Sequence, residues 1–220
     1  MSHRPSYRIA LLILILAGIA VLVCCDKDTR SISFLKKNRS TISFAGTNKA
    51  LSDRRVKQFV NRYIQEHKEC LVSIRQRCDS TFDLMDSIFT RYHLPLELKY
   101  LAVIESELKT NAVSHVGAAG PWQLMPGTAH ILGLKVSGVC DERMSYPRST
   151  QAAAIYLRDL HVEFGDWLLV MAAYNGGEGP VYSAIRQSES RNFWVIQKYL
   201  PQETREYVKK FMATYYYFEG

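Results

Sequence analysis

The 220-residue sequence contains no alternating apolar–polar run long enough for a convincing strand and no internal repeat. Sheet sandwiches, barrels and solenoids are thereby set aside. It has no glycine-rich phosphate loop, and its six histidines are scattered without zinc-ligand spacing, so nucleotide and zinc chemistry have no motif to rest on. Cysteine is scarce, and the count of five is odd, so complete pairing is impossible. Cys70 and Cys78 fall in a helical pattern, where eight residues span about 12 Å, too far for a disulfide unless the helix breaks. They are expected as small buried thiols or in pairs formed elsewhere. A concentrated basic block is also missing. The formal charge of +7 is spread along the chain, which argues against a nucleic-acid partner and fits attraction to an acidic membrane surface or wall polymer. What remains is an ordinary globular composition, 47% hydrophobic and 22% charged, sufficient for one medium domain with extensions and a core independent of cofactors or disulfides.

The amino terminus departs from that average. His3, Arg4 and Arg8 precede an uncharged apolar run from Ile9 to Val23, followed by Cys24, Cys25 and Asp26. A basic flank before an apolar core of this length reads as an export signal and is short for a membrane span. The cysteine pair suggests a lipoprotein signal, although Val23 stands where a small residue is usual before Cys24. Residues 1–25 are accordingly expected to be a signal peptide or membrane anchor, with lipidation as one form of it. Residues 26–50 are polar and aperiodic and read as a flexible tether.

Helical periodicity starts near Ser52 and Asp53, either of which can cap a helix, with Val56, Phe59, Val60, Tyr63 and Ile64 recurring at three and four. A long, interruptible helical segment continues through Leu71, Ile74, Phe82, Met85 and Phe89 to a break at His93-Leu94-Pro95. Residues 51–92 are expected to form a helical extension and residues 93–220 the main domain. Within the latter, a helix starts near Ser149 or Thr150 and ends at Gly165, Asp166 caps WLLVMAAY, a weaker helix covers roughly 180–186, and Pro201 opens the last one. The fold class is all-α.

The first helix after the break, LKYLAVIESEL (98–108), carries two glutamates in an apolar setting. Advancing about 100° per residue places Leu101, Ala102, Glu105 and Leu108 within roughly 80° of Leu98, and Glu107 on the opposite side. Glu105 therefore shares the leucine face, where burial disfavours its charged form; it needs either a partner such as arginine or a raised pKa, the property of a general acid. Glu107 is expected at the surface.

Three stretches, IESEL with Glu105 and Ser106, GAAGPWQLMPGTA (117–129) and MAAYNGGEGPV (171–181), occur in this order. Each alone is weak. Together they closely resemble the soluble lytic transglycosylase (SLT) type of lytic transglycosylase, a lysozyme-like family related to the goose-type lysozymes, and most nearly its membrane-bound D branch. The resemblance covers about residues 93–220. It implies cleavage of the bond between N-acetylmuramic acid and N-acetylglucosamine in peptidoglycan without water, giving a 1,6-anhydro end, with one glutamate as acid and then base. On this resemblance Glu105 is the catalytic acid and Ser106 the serine beside it. Gln123, Leu124 and Met125 match the groove-lining stretch, Tyr174 and Asn175 the Tyr-Asn pair near the glutamate, and Tyr207 a late tyrosine. Ser106, Gln123, Met125, Tyr174, Asn175 and Tyr207 are thus the expected substrate-contacting residues. The implied partner is the peptidoglycan glycan strand, acted on by a membrane-tethered monomer in the cell envelope, with no cofactor, metal or nucleic acid.

The residue types suit this chemistry. Most glycosidases need two carboxylates, and no second acid lies in a matched motif, as in enzymes assisted by the substrate itself. Trp122 stands either as a flat face for a sugar ring or as a core residue. Two departures from the family pattern stand out: Pro121 replaces a common apolar residue, and the carboxyl-terminal wall-binding repeats frequent in the nearest branch do not appear before Gly220. Wall affinity is then expected from the groove, the tether and basic charge. A lysozyme-type hydrolase on the same fold and a non-catalytic peptidoglycan-binding module are the alternatives.

Overall fold

A computed structural model of the chain describes residues 53–220. The expected signal or anchor, the tether and the Cys24-Cys25 pair lie outside the described residues. Those described form ten α-helices joined by turns and short 3-10 segments, with three isolated bridges and no strand among them, in agreement with the all-α expectation.

Helix α1 (Arg54–Glu66) starts where the Asp53 carboxylate accepts a bond from the Arg55 amide at 2.7 Å. Its Val56 and Val60 are buried against Met212 and Ala213 of the last helix. The long segment that follows is cut twice, into α2 (Lys68–Arg77) and α3 (Asp79–Arg91). At the first cut the His67 ring bonds back to the Tyr63 carbonyl and stacks on its ring; at the second, Cys78 closes α2 with its thiol on the Arg75 carbonyl. The three described cysteines are free, Cys78 buried, Cys70 half-buried and Cys140 exposed.

The core does not stop at the expected boundary at residue 92. Leu71, Ile74, Phe82, Met85, Ile88 and Phe89 from α2 and α3 belong to the same apolar cluster as Leu98, Leu101, Leu157 and Phe211. Burial on this scale, at about 25 cal/mol per Å² of apolar surface, is the main term holding the extension to the rest.

After the break a 3-10 turn (Leu96–Lys99) leads into α4 (Tyr100–Ser106). Lys99, only 5% exposed, is paired to Asp86 of α3 at 2.8 Å, which satisfies an otherwise costly buried ammonium. Helix α4 is shorter than the apolar pattern suggests, because Glu107 and Leu108 both adopt left-handed backbone, φ 54° and 63°. Arg77 of α2 donates to the Glu107 carbonyl at 3.0 Å and the Tyr146 hydroxyl donates to that of Leu108, so the end of α4 is fixed from two sides.

A loop and the short α5 (Pro126–Ile131) precede α6 (Tyr146–Phe164), which begins three residues earlier than expected, with Pro147 in its first turn. Gly165, φ 70°, ends it as anticipated. Helix α7 (Trp167–Gly176), capped by Asp166, buries Leu168 through Ala173 and packs on α6, on α8 (Glu178–Ser188) and on α10 (Gln202–Glu219). The short α9 (Phe193–Ile196) links α8 to α10, and α10 also packs on α1 and α4. Thus α4, α7 and α10 converge.

Candidate active site

Glu105 occupies the last turn of α4, half-buried. Its Oε1 accepts a 2.6 Å bond from the hydroxyl of Tyr207, a buried residue of α10. Burial pushes the Glu105 carboxyl up to about 7; the Tyr207 bond and Lys210 pull it down and the charge of Glu203 pushes it up, leaving burial in control. The expected buried partner is therefore a neutral phenol and not an arginine. The phenols of Tyr207 and Tyr174 are pushed well above their ordinary value, first by burial and next by the Glu105 charge, so both remain neutral donors.

The three motif stretches are joined by direct bonds. Ser106 on α4 is buried and donates to the Pro121 carbonyl at 3.0 Å, with a second contact to Ala102 at 3.3 Å. Tyr174 on α7 donates to the next carbonyl, that of Trp122, at 2.7 Å. The Pro121-Trp122 peptide is thus gripped from α4 on one side and from α7 on the other. Both hydroxyls are engaged with backbone, and the placement gives Ser106 a loop-holding task.

Trp122 is fully buried, donates from its indole to Thr150 at 2.9 Å and packs on Phe89. The option of a flat face for a sugar ring is closed, and Trp122 is a core residue. Gln123 sits at φ 45° and its amide nitrogen donates to the carbonyls of Gly120 at 2.8 Å and Ala112 at 3.3 Å. Met125 is 43% exposed at the start of α5. Asn175, half-buried in the last turn of α7, makes no side-chain hydrogen bond to another described residue. Glu107 is at the surface, paired to Lys109 at 2.7 Å, which holds its carboxyl below the usual range.

The structure adds Arg143, which sequence reasoning missed. Arg143 is buried; its guanidinium donates to the carbonyls of Gly117 at 2.7 Å and Leu124 at 3.0 Å and pairs with Asp141 at 2.7 Å. It therefore ties both ends of the loop that carries Gln123. Gly120, φ 79°, lies so close that a Cβ there would stand 1.8 Å from the Arg143 carbonyl oxygen, which only glycine avoids. Gly176 is similarly pressed, its would-be Cβ 2.6 Å from Thr204 on α10. Nothing in the local pattern marks Arg143, because its carbonyl partners lie 19 and 26 residues away.

Chemically, the arrangement presents a carboxyl that holds its proton near neutrality, one oxygen fixed by a phenol and the other able to deliver the proton. Comparison with known proteins gives a consistent picture. The family model described as "Transglycosylase SLT domain" matches residues 88–197. The chain is 35% identical over 164 residues to membrane-bound lytic murein transglycosylase D of Escherichia coli, covering 72% of this chain and 36% of that protein. It thus spans about a third of the length of that curated relative. Among solved structures it is similar to an inactive mutant of the lytic transglycosylase Slt from Pseudomonas aeruginosa, with 26% identity, a TM-score of 0.53, and 60% of this chain and 23% of that one covered. The 70 kDa soluble lytic transglycosylase of Escherichia coli gives 26% identity and a TM-score of 0.54, with 72% and 30% covered. With its three motif stretches bonded into one site and half its length matched by the family model, the chain belongs to the transglycosylase SLT domain family.

Proposed function

We propose that this protein is a peptidoglycan lytic transglycosylase that cleaves the β-1,4 bond between N-acetylmuramic acid and N-acetylglucosamine without water. The observation that carries this is a half-buried glutamate on an apolar helix, Glu105, raised to about 7 and held by Tyr207. The Glu105 carboxyl gives its proton to the glycosidic oxygen as the bond from that oxygen to the muramic C1 breaks. The substrate's own acetamido group stabilises the positive charge at C1. The resulting carboxylate takes the proton of the 6-hydroxyl as O6 bonds to C1, which yields the 1,6-anhydro end and returns Glu105 to its starting state.

Tyr207 keeps the donating oxygen aimed, Asn175 offers an unspent amide to the sugar, and Gln123 and Met125 line the groove. Ser106 and Tyr174 contribute by fixing the loop between them. The catalytic region is residues 93–220, supported by the extension over 51–92, and residues 1–50 export the monomeric protein and tether it to a membrane facing the wall. Membrane attachment is also what the name of the Escherichia coli relative states of that protein.

A hydrolase on the same fold is favoured by one observation, the Glu203 charge felt at Glu105, since a second carboxylate is what water activation requires. Mass analysis of muropeptides released by the full chain separates the two. Products one water lighter than the hydrolysed fragments are expected, with Glu105→Gln inactive but still able to bind glycan. Reducing ends throughout, or undiminished activity in Glu105→Gln, overturn the proposal.

A further inference from the structure

Helix α10 has two working faces. Thr204, Tyr207, Val208 and Phe211 form the buried stripe that reaches Glu105, whereas Gln202, Arg205, Glu206 and Lys209 repeat the same spacing on another side. Arg205 and Lys209 each stand two residues from Tyr207, roughly 200° around the helix. Together with the start of α1 and the segment around α9, this second stripe encloses a cleft of about 740 Å³, a volume ordinary for a ligand site.

The lining is rich in donors. Arg55, Lys198, Arg205 and Lys209 face two carboxylates, Asp53 and Glu206. The carboxylates are already engaged, Asp53 with Arg55 at 3.7 Å and Glu206 with the Gln202 amide at 2.9 Å. The Arg205 guanidinium makes neither a hydrogen bond nor an ion pair to a described residue; only its backbone amide is bonded, to the Pro201 carbonyl. Burial lowers the pKa of Lys209; the charges of Arg205 and Arg55 also lower it, while those of Glu206 and Asp53 raise it. The indole N–H of Trp194, at the cleft wall, is buried without a hydrogen-bond partner among the described residues. A buried donor without a partner is unfavourable, and an acceptor admitted by a small shift of its neighbours relieves it.

We propose that this cleft binds a short acidic peptide. Its identification as a peptide stem of the wall polymer rests on the function proposed above; the binding itself does not. Excess cations call for carboxylates, while the glutamine oxygens of the lining call for the N–H groups that a peptide carries and a phosphate lacks. A concave site of this size suits a discrete ligand and not a membrane surface. The chain's own preceding segment is the wrong sign to fill it, since Lys27, Arg30, Lys36, Lys37, Arg39 and Lys49 outnumber Asp26 and Asp28.

The test is a titration of the ¹⁵N-labelled full chain with a synthetic tetrapeptide of alanine, γ-linked glutamate, diaminopimelate and alanine, following the tryptophan indole signals. The Trp194 signal, identified by its loss in Trp194→Phe, is expected to move to saturation while that of Trp167 stays. Arg205→Gln and Lys209→Gln are each expected to weaken binding about tenfold, and blocking the peptide carboxylates to abolish it. A stationary Trp194 signal, wild-type affinity in both variants, or unchanged binding of the blocked peptide overturns the proposal. So does the same response to inorganic phosphate or to phosphatidylglycerol vesicles, which would make the cleft a plain anion or lipid site. The titration is repeated in Glu105→Gln, where no cleavage intervenes. Anhydro products without peptide binding overturn the cleft alone, and peptide binding without anhydro products overturns the enzymatic proposal alone.

Discussion

Glu105 is a carboxyl whose surroundings favour the proton, and two consequences follow at the scale of the residue. Its pKa near 7 in the fold exceeds the ordinary value of 4.5, so the folded state binds the proton more tightly than the unfolded chain does. Its contribution to stability is fully present below about pH 4.5 and is lost as pH rises through 7, up to about 3 kcal/mol. Glu105→Gln, which cannot ionise, is expected to match the wild type near pH 4 and to exceed it in denaturant midpoint at pH 8 to 9. Chemical unfolding at the two pH values checks this. The Tyr207 bond favours the ionised carboxyl, so Tyr207→Phe raises the Glu105 pKa further. The alkaline limb of kcat/KM, where the acid loses its proton, is expected to move upward in that variant even as the rate falls, a shift read from a pH–rate profile. Helical phase alone separates Glu105 from Glu107, because burial follows the 3.6-residue period. The partner of Glu105 is not legible from period, since Tyr207 is 102 residues away and one of several tyrosines in its region; the family resemblance names it only as a late-motif tyrosine expected at the substrate.

At the scale of elements, the site depends on how α4 ends and how the following loop is held. The helix stops at Ser106 because two left-handed residues turn the chain toward the loop, and Ser106 and Tyr174 then take adjacent carbonyls of that loop. Apolar periodicity cannot announce such a stop, as Leu108 remains buried after the helix has ended. The helix starts and stops that carry their own chemistry, Asp166 before α7, Gly165 after α6 and Pro201 before α10, appear where the sequence places them. Loop restraint by Arg143 is tertiary and has no local signature. Gly120→Ala is expected to destabilise the protein by at least about 2 kcal/mol, since the added methyl meets the Arg143 backbone and the residue keeps a positive φ. Denaturant unfolding measures it. Arg143→Lys keeps the charge but loses the fork that spans Gly117, Leu124 and Asp141. It is expected to speed amide exchange across 117–124 and to lower kcat more than it raises KM.

At the scale of the whole molecule, the division into extension and catalytic region describes the chain better than it describes the core. Phe82, Met85, Ile88 and Phe89 of α3 share one cluster with the helices that carry the site, and Arg77 reaches the end of the Glu105 helix. Truncation to residues 93–220 is expected to abolish cooperative thermal unfolding followed by circular dichroism, whereas a chain beginning at residue 53 retains it. The all-α class was visible because strands, which need alternation, had no sequence to form from. The unity of the core was not, since apolar positions of α2 and α3 are read equally well as an independent hairpin. The measurement that bears most directly on the proposed chemistry is digestion of peptidoglycan in ¹⁸O-labelled water by the wild type and by Glu105→Gln. Attack by the 6-hydroxyl predicts products that carry no label and no turnover in the variant. One labelled oxygen at each new end, or label-free products formed as fast without Glu105, would contradict it.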